Sequence, residues 1–206
     1  MNQRHVYLTH PQVAIDPAVP VPRWGLSDLG RSRVEVLARA GWLAGAGRIV
    51  ASDETKAIET AEILARAAGL TVEVRDHLHE NDRSATGFLP PPEFEATADA
   101  FFASPLQSVR GWERAIDAQT RIVATVRAIV AERPATPTLF VGHGGVGTLL
   151  KCALKGIAIS RVEDQGPGGG GNHFAFALAP DSVLYDWRSM EMSPSGERQC
   201  PEPRID

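Results

Sequence analysis

Four short runs rich in branched and aromatic apolar residues recur along the chain: HVYLT (His5–Thr9), RIVAS (Arg48–Ser52), TVEVR (Thr71–Arg75) and TLFVGH (Thr138–His143). Their near-continuous apolar character suits strands buried on both faces. Stretches of helical period separate them. Ser27 is placed to cap a helix through LGRSRVEVLARAGWL, with Leu29, Val34, Leu37 and Ala38 on one face and Gly41 near its end. DETKAIETAEILARAAG repeats the pattern with Ala57, Ala61, Leu64 and Ala68, and stops at Gly69. From Trp112 to Glu132, the spacing of Ile116, Ile122, Val123, Val126 and Ile129 predicts a third helix, ended by Pro134. Strands alternating with helices predict an α/β fold on a mostly parallel sheet.

Two segments break this order. Gly87–Pro105 contains three consecutive prolines and reads as an insertion with a short helix near Glu93–Phe102. QGPGGGGN, from Gln165 to Asn172, is a tightly turning loop, since glycine reaches φ angles closed to other residues. HFAFAL and SVLYDW, flanking a Pro-Asp turn, then read as an antiparallel hairpin. We expect one domain over residues 1–190 and a polar, proline-rich tail over 191–206.

Composition bounds the function. The 206 residues suffice for one domain with a sizeable core. No apolar run reaches membrane-helix length, and the N-terminus has no secretory h-region. Cys152 and Cys200 are too few for a disulfide framework and are not spaced as a metal site, so the expected compartment is the cytoplasm. A formal charge of -4 argues against a nucleic-acid partner, and no membrane partner is expected.

The segment TLFVGHGGVGTLLKCAL carries the most chemistry. An apolar strand ends at His143, two glycines turn the chain, and an apolar helix follows. Ligands of open α/β sheets bind beyond the carboxyl ends of the strands, where His143 falls. Backbone N–H groups from Gly144 onward, with the helix dipole, favour an anion there. His10 ends the first strand in the same way. Two histidines at the ends of two parallel strands are placed to converge on one ligand.

These motifs resemble the histidine phosphatase superfamily, branch 1, also called phosphoglycerate mutase-like. The resemblance spans roughly Val6 to Trp187. Where the family has Arg-His-Gly, this chain has Thr9, His10 and Pro11. The Leu-Ser/Thr-x-x-Gly entry to the first helix is matched by Leu26, Ser27 and Gly30. The next signature is matched at Ser52, Ala57, Thr60 and Ala61, with Lys56 in place of its arginine. The family's acidic residue aligns with Glu80, and its late Ser-His-Gly-Gly with Gly142, His143, Gly144 and Gly145.

The resemblance implies a three-layer α/β/α sandwich and a phosphohydrolase acting on a small phosphorylated substrate, with no metal or cofactor required. His10 is the implied nucleophile, forming a phosphohistidine. Chemistry favours it, because a neutral imidazole is abundant near pH 7. Glu80 is the implied general acid, its pKa raised beside a phosphate dianion. His143, Lys56, Thr9 and the backbone at Gly144 are the implied phosphate donors. Arg23 and Arg83 are candidate substrate contacts. His5, His79 and His173 read as structural or exposed, and Asp53 and Glu54 as acidic residues favouring a helix N-terminus.

Thr9 and Lys56 replace two planar arginine forks with one hydroxyl and one compact charge, and Pro11 removes an N–H beside the nucleophile. These departures keep two alternatives open: a cofactor-dependent phosphoglycerate mutase, and a catalytically weak or inactive relative that binds a phosphorylated ligand.

Overall fold

The computed structural model describes residues 3–192 apart from 42 and 44. Of the expected tail, 191–206, residues 193–206 with Cys200 lie outside the described residues. Six strands form one sheet in the order β3-β2-β4-β1-β5-β6. The strands are β1 (His5–Thr9), β2 (Arg48–Ser52), β3 (Val72–Arg75), β4 (Thr138–Gly142), β5 (Asn172–Leu178) and β6 (Asp181–Ser189). The first four are parallel, and β5 and β6 form the expected antiparallel hairpin, β5 pairing with β1.

The helices are α1 (Asp28–Arg39), α2 (Thr55–Ala68), α3 (Pro91–Ala103), α4 (Ala115–Glu132) and α5 (Gly144–Lys155). Ser27 caps α1, its hydroxyl accepting from Gly30 N at 3.1 Å. The proline-rich insertion yields a fuller helix than the sequence suggests. Pro91 and Pro92 sit in its first turn, where the missing N–H groups have no helical partner to lose.

Successive strand residues point to opposite faces, and each face carries its own helices. Leu8, Ile49, Ala51, Leu139 and Val141 pack against α1 and α2 through Val34, Leu37, Ala57, Ala61 and Leu64. On the other face Tyr7, Val50, Phe140, Phe174 and Phe176 meet α3, α4 and α5 through Phe101, Ile122, Val126, Val146 and Leu149. This is the three-layer α/β/α sandwich. Three expectations are corrected. Ala68 is exposed at the last turn of α2, where Ala65 is buried instead. Leu29 is 53% exposed, because α1 turns Val34 and Leu37 inward instead. Val74 is 46% exposed, because β3 is an edge strand paired only with β2.

Candidate active site

Strand register builds the site. Thr9 pairs with Gly142 in the parallel β1–β4 ladder, so the next residues, His10 and His143, leave the carboxyl edge side by side. Their rings meet edge-on with centroids 5.2 Å apart. Ala51 pairs with Val141 on the far side of β4, so Ser52 ends β2 next to His143. The Ser52 hydroxyl is hydrogen-bonded to His143 Nε2 at 2.8 Å. Tyr7 holds the backbone of His143, its Oη donating to His143 O and accepting from His143 N, each at 3.1 Å. His143 Nδ1 is buried and has no hydrogen-bond partner among the described residues.

His10 Nδ1 lies 2.8 Å from Pro11 O. A carbonyl only accepts, so Nδ1 carries the hydrogen and Nε2 keeps its lone pair. Burial, then the neighbouring His143, lowers the His10 pKa to about 3, against a smaller opposing effect of the Pro11 carbonyl. The His143 pKa is lowered by burial, against the pull of Glu54 and Glu80. Both imidazoles are neutral near pH 7.

Glu80 lies at the N-terminus of α5. Its Oε2 accepts from Gly145 N at 3.0 Å, and its Oε1 from Val146 N at 2.9 Å and Asn81 N at 3.1 Å. A β-carbon on Gly145 would meet Glu80 Oε1 at 2.7 Å, so the carboxylate reaches these donors only over a glycine. Burial pushes its pKa up, but Arg83, His143 and the Gly145 N–H outweigh it, so the net shift is downward. The expected rise belongs to the carboxyl beside a bound phosphate, and in the free site Glu80 starts below the ordinary carboxylate value. The N–H groups after Gly144 already have an anion in Glu80. The N–H of Gly144, first in the helix, has no carbonyl one turn back to bond.

Glu54 stands at the N-cap of α2, where an acidic residue is expected, but its side chain makes no cap hydrogen bond there. It is buried, ion-paired with Lys56, and its Oε1 lies 3.5 Å from His143 Nε2 while accepting from Glu80 N at 2.9 Å. Burial raises its pKa, but His143 and Lys56 more than offset that and leave it at about 2. Residues two apart on a helix do not face each other. Glu54 has extended angles (φ -79°, ψ 139°), which turns it toward Lys56. Lys56 Nζ also donates to Val21 O at 2.8 Å. Its charge is matched by Glu54 instead of standing open for phosphate.

Thr9 is likewise committed. Its hydroxyl donates to Gln165 Oε1 at 2.7 Å and accepts from Asn172 N at 3.0 Å, so it has no hydrogen left for a phosphate. Direct phosphate contact by Thr9 is thus corrected to an anchoring role. Arg83 lines a cleft of about 430 Å³ with His10, Glu80, Gly144, Gly145 and Gln165, its guanidinium over the rings of Phe94 (5.1 Å) and Trp112 (5.6 Å). Arg23 is exposed at the end of a 3₁₀ turn over Val21–Arg23, and Val21 is the member of that turn that meets Lys56.

Of the four remaining histidines, His77 is exposed beside Asp76, and the other three sit in the framework. His5 and His173 are buried, His173 Nδ1 being bonded to Tyr185 Oη at 2.7 Å, and His79 Nδ1 donates to Glu80 O at 2.8 Å. Burial lowers the pKa of His5 and of His173 to about 4. The unfolded chain therefore binds protons near pH 6.5 that the folded chain refuses until about pH 4, or about 3 for His10. Stability falls as pH drops through that window, by up to about 1.4 kcal/mol per pH unit for each imidazole. Melting followed by circular dichroism from pH 7 to pH 4.5 should show a steep fall below pH 6.5. A flat melting temperature across this range contradicts the burial argument.

The sequence model of the histidine phosphatase superfamily (branch 1) matches residues 20–168, and the chain belongs to that family as an enzyme of the phosphatase class. The matched span begins after His10. No curated protein matches the sequence. Among solved structures, a mycobacterial glucosyl-3-phosphoglycerate phosphatase in complex with inorganic phosphate is 25% identical, with a TM-score of 0.73 over 93% of this chain and 100% of that one. YhfR of Bacillus stearothermophilus (20% identity, TM-score 0.73, 88% and 94% covered) shares the fold. So does the alpha-ribazole phosphatase of Shigella flexneri (15%, 0.67, 91% and 97%). No helix among the described residues is long and apolar enough to cross a membrane.

Proposed function

We propose that the protein hydrolyses a small phosphomonoester through a phosphohistidine on His10 Nε2. The observation that carries this reading is the His10 tautomer. Nδ1–H is engaged by Pro11 O, which directs the Nε2 lone pair outward beside His143. Pro11 thus contributes a carbonyl where its missing N–H is a loss.

In the first step the Nε2–phosphorus bond forms as the bond from phosphorus to the ester oxygen breaks. The orphaned Nδ1 of His143 and the N–H of Gly144 supply contacts to the phosphoryl oxygens. Glu80 enters as a carboxylate. Like charge from the bound phosphate raises its pKa, so as the substrate docks it takes up one proton from solvent water and then gives that proton to the leaving oxygen. In the second step the same carboxylate deprotonates the water that attacks phosphorus and frees His10. The leaving group lies along the wall formed by Arg83, Phe94 and Trp112, which suits a part-apolar alcohol.

Rapid mixing with a 32P-labelled aryl phosphate, followed by alkaline quench and peptide mapping, tests the reading. Acid-labile, alkali-stable label on the peptide bearing His10 is expected. Tight phosphate binding with no label at any quench time identifies a binding relative instead.

A further inference from the structure

The cleft contains two neutral amide donors that the mechanism above does not use, Asn81 Nδ2 and Gln165 Nε2, and only the second is fixed by bonds to the nucleophile segment. Gln165 opens the glycine-rich loop, and its side chain is fixed from behind. Its Oε1 accepts from Thr9 Oγ1 at 2.7 Å and from Asn172 Nδ2 at 3.2 Å. With the oxygen held, Nε2 faces the start of α5, and a β-carbon built on Gly144 would lie only 2.2 Å from it. No acceptor for Nε2 is present among the described residues. Gln165 lines the same cleft as His10 and Gly144.

The loop is fastened to the nucleophile segment. Gly171 N donates to His10 O at 3.0 Å. At Gly170 φ is +83° and a β-carbon would lie 2.2 Å from His10 O, so only glycine lets the loop come this close. Asn172 N donates in turn to Thr9 Oγ1 at 3.0 Å. Thr9, Gln165 and Asn172 therefore form one unit at the point where β1 and β5 part.

We propose that Gln165 Nε2 donates a hydrogen bond to the phosphoryl group transferred to His10, with Thr9 as its positioning residue. The inference rests on the phosphatase reading and deepens it. A buried arginine at position 9 would bring a charge to the phosphate directly. Here a buried hydroxyl aims a neutral amide, so the donor survives while the positive charge does not. Such a site discriminates by geometry more than by attraction.

The test compares variants by turnover of p-nitrophenyl phosphate and by titration with inorganic phosphate. Gln165→Ala is expected to lower kcat/KM by roughly 10²-fold, and to weaken phosphate binding about 10-fold. Gln165→Glu retains an oxygen for Thr9 and Asn172 but sets a second oxygen against the phosphate. It should keep the wild-type melting temperature and lose more activity than Gln165→Ala. Thr9→Ser should stay close to wild type, and Thr9→Val should lose most of what Gln165→Ala loses.

An active Gln165→Glu enzyme, or a Gln165→Ala enzyme within two-fold of wild type, overturns the proposal while leaving the phosphatase reading intact. If wild type shows neither turnover nor label on His10, the phosphatase reading fails by itself. Phosphate titration then decides for Gln165, and equal affinity in wild type and Gln165→Ala overturns its role.

Discussion

His10→Ala is expected to reduce turnover of an aryl phosphate by roughly 10⁴-fold or more, the scale on which removal of a nucleophile acts. The melting temperature should hardly move. The ring is half-buried, and its Nδ1–H donates to the carbonyl of its own neighbour, Pro11. The variant should still bind inorganic phosphate, because the donors at His143, Gly144 and Gln165 remain. Retention of more than about 1% of wild-type kcat/KM would remove His10 from the nucleophile role.

Glu54→Gln should destabilise the protein by about 3–5 kcal/mol, since it leaves the Lys56 ammonium buried without its counter-charge. The second partner of Lys56, Val21 O, is a neutral carbonyl and cannot replace a full charge. Replacing both groups, as in Glu54→Gln with Lys56→Met, should recover most of that loss, because the uncompensated charge is then gone. Urea unfolding monitored by tryptophan fluorescence measures both. A loss below 1 kcal/mol in Glu54→Gln, or a double variant as unstable as the single one, contradicts the pairing.

The fold was legible because it rests on local patterns. The β1, β2 and β4 runs are continuously apolar because each strand lies between two neighbours and two helix layers, and they end within a residue of their expected limits. His10 and His143 were legible for the same reason, since a histidine just past a buried strand stands at the sheet edge where ligands bind. Glu80 was placed through the family resemblance.

What escaped the sequence depends on angles and on distant pairing. Glu54 and Lys56 meet because one backbone torsion before α2 is extended, which no spacing rule records. Thr9 looks like a lost arginine until Asn172 and Gln165 are seen on its hydroxyl. The run of glycines after Gln165 signalled a special backbone, but the partner that demands it, His10 O, lies near the other end of the chain.

The position of β1 has a consequence for the protein as it is made. This strand leads into His10, the proposed nucleophile, and precedes the other strands in the chain, yet both strands that flank it, β4 and β5, come from the last third of the sequence. A ribosome that has released β1, α1, β2 and α2 has therefore produced His10 with neither neighbour to hold it. Long-range closure of this kind is slow relative to helix formation. Activity should arise late and abruptly during synthesis, with the docking of the final hairpin, and the nascent chain has no partial phosphatase to misdirect in the meantime.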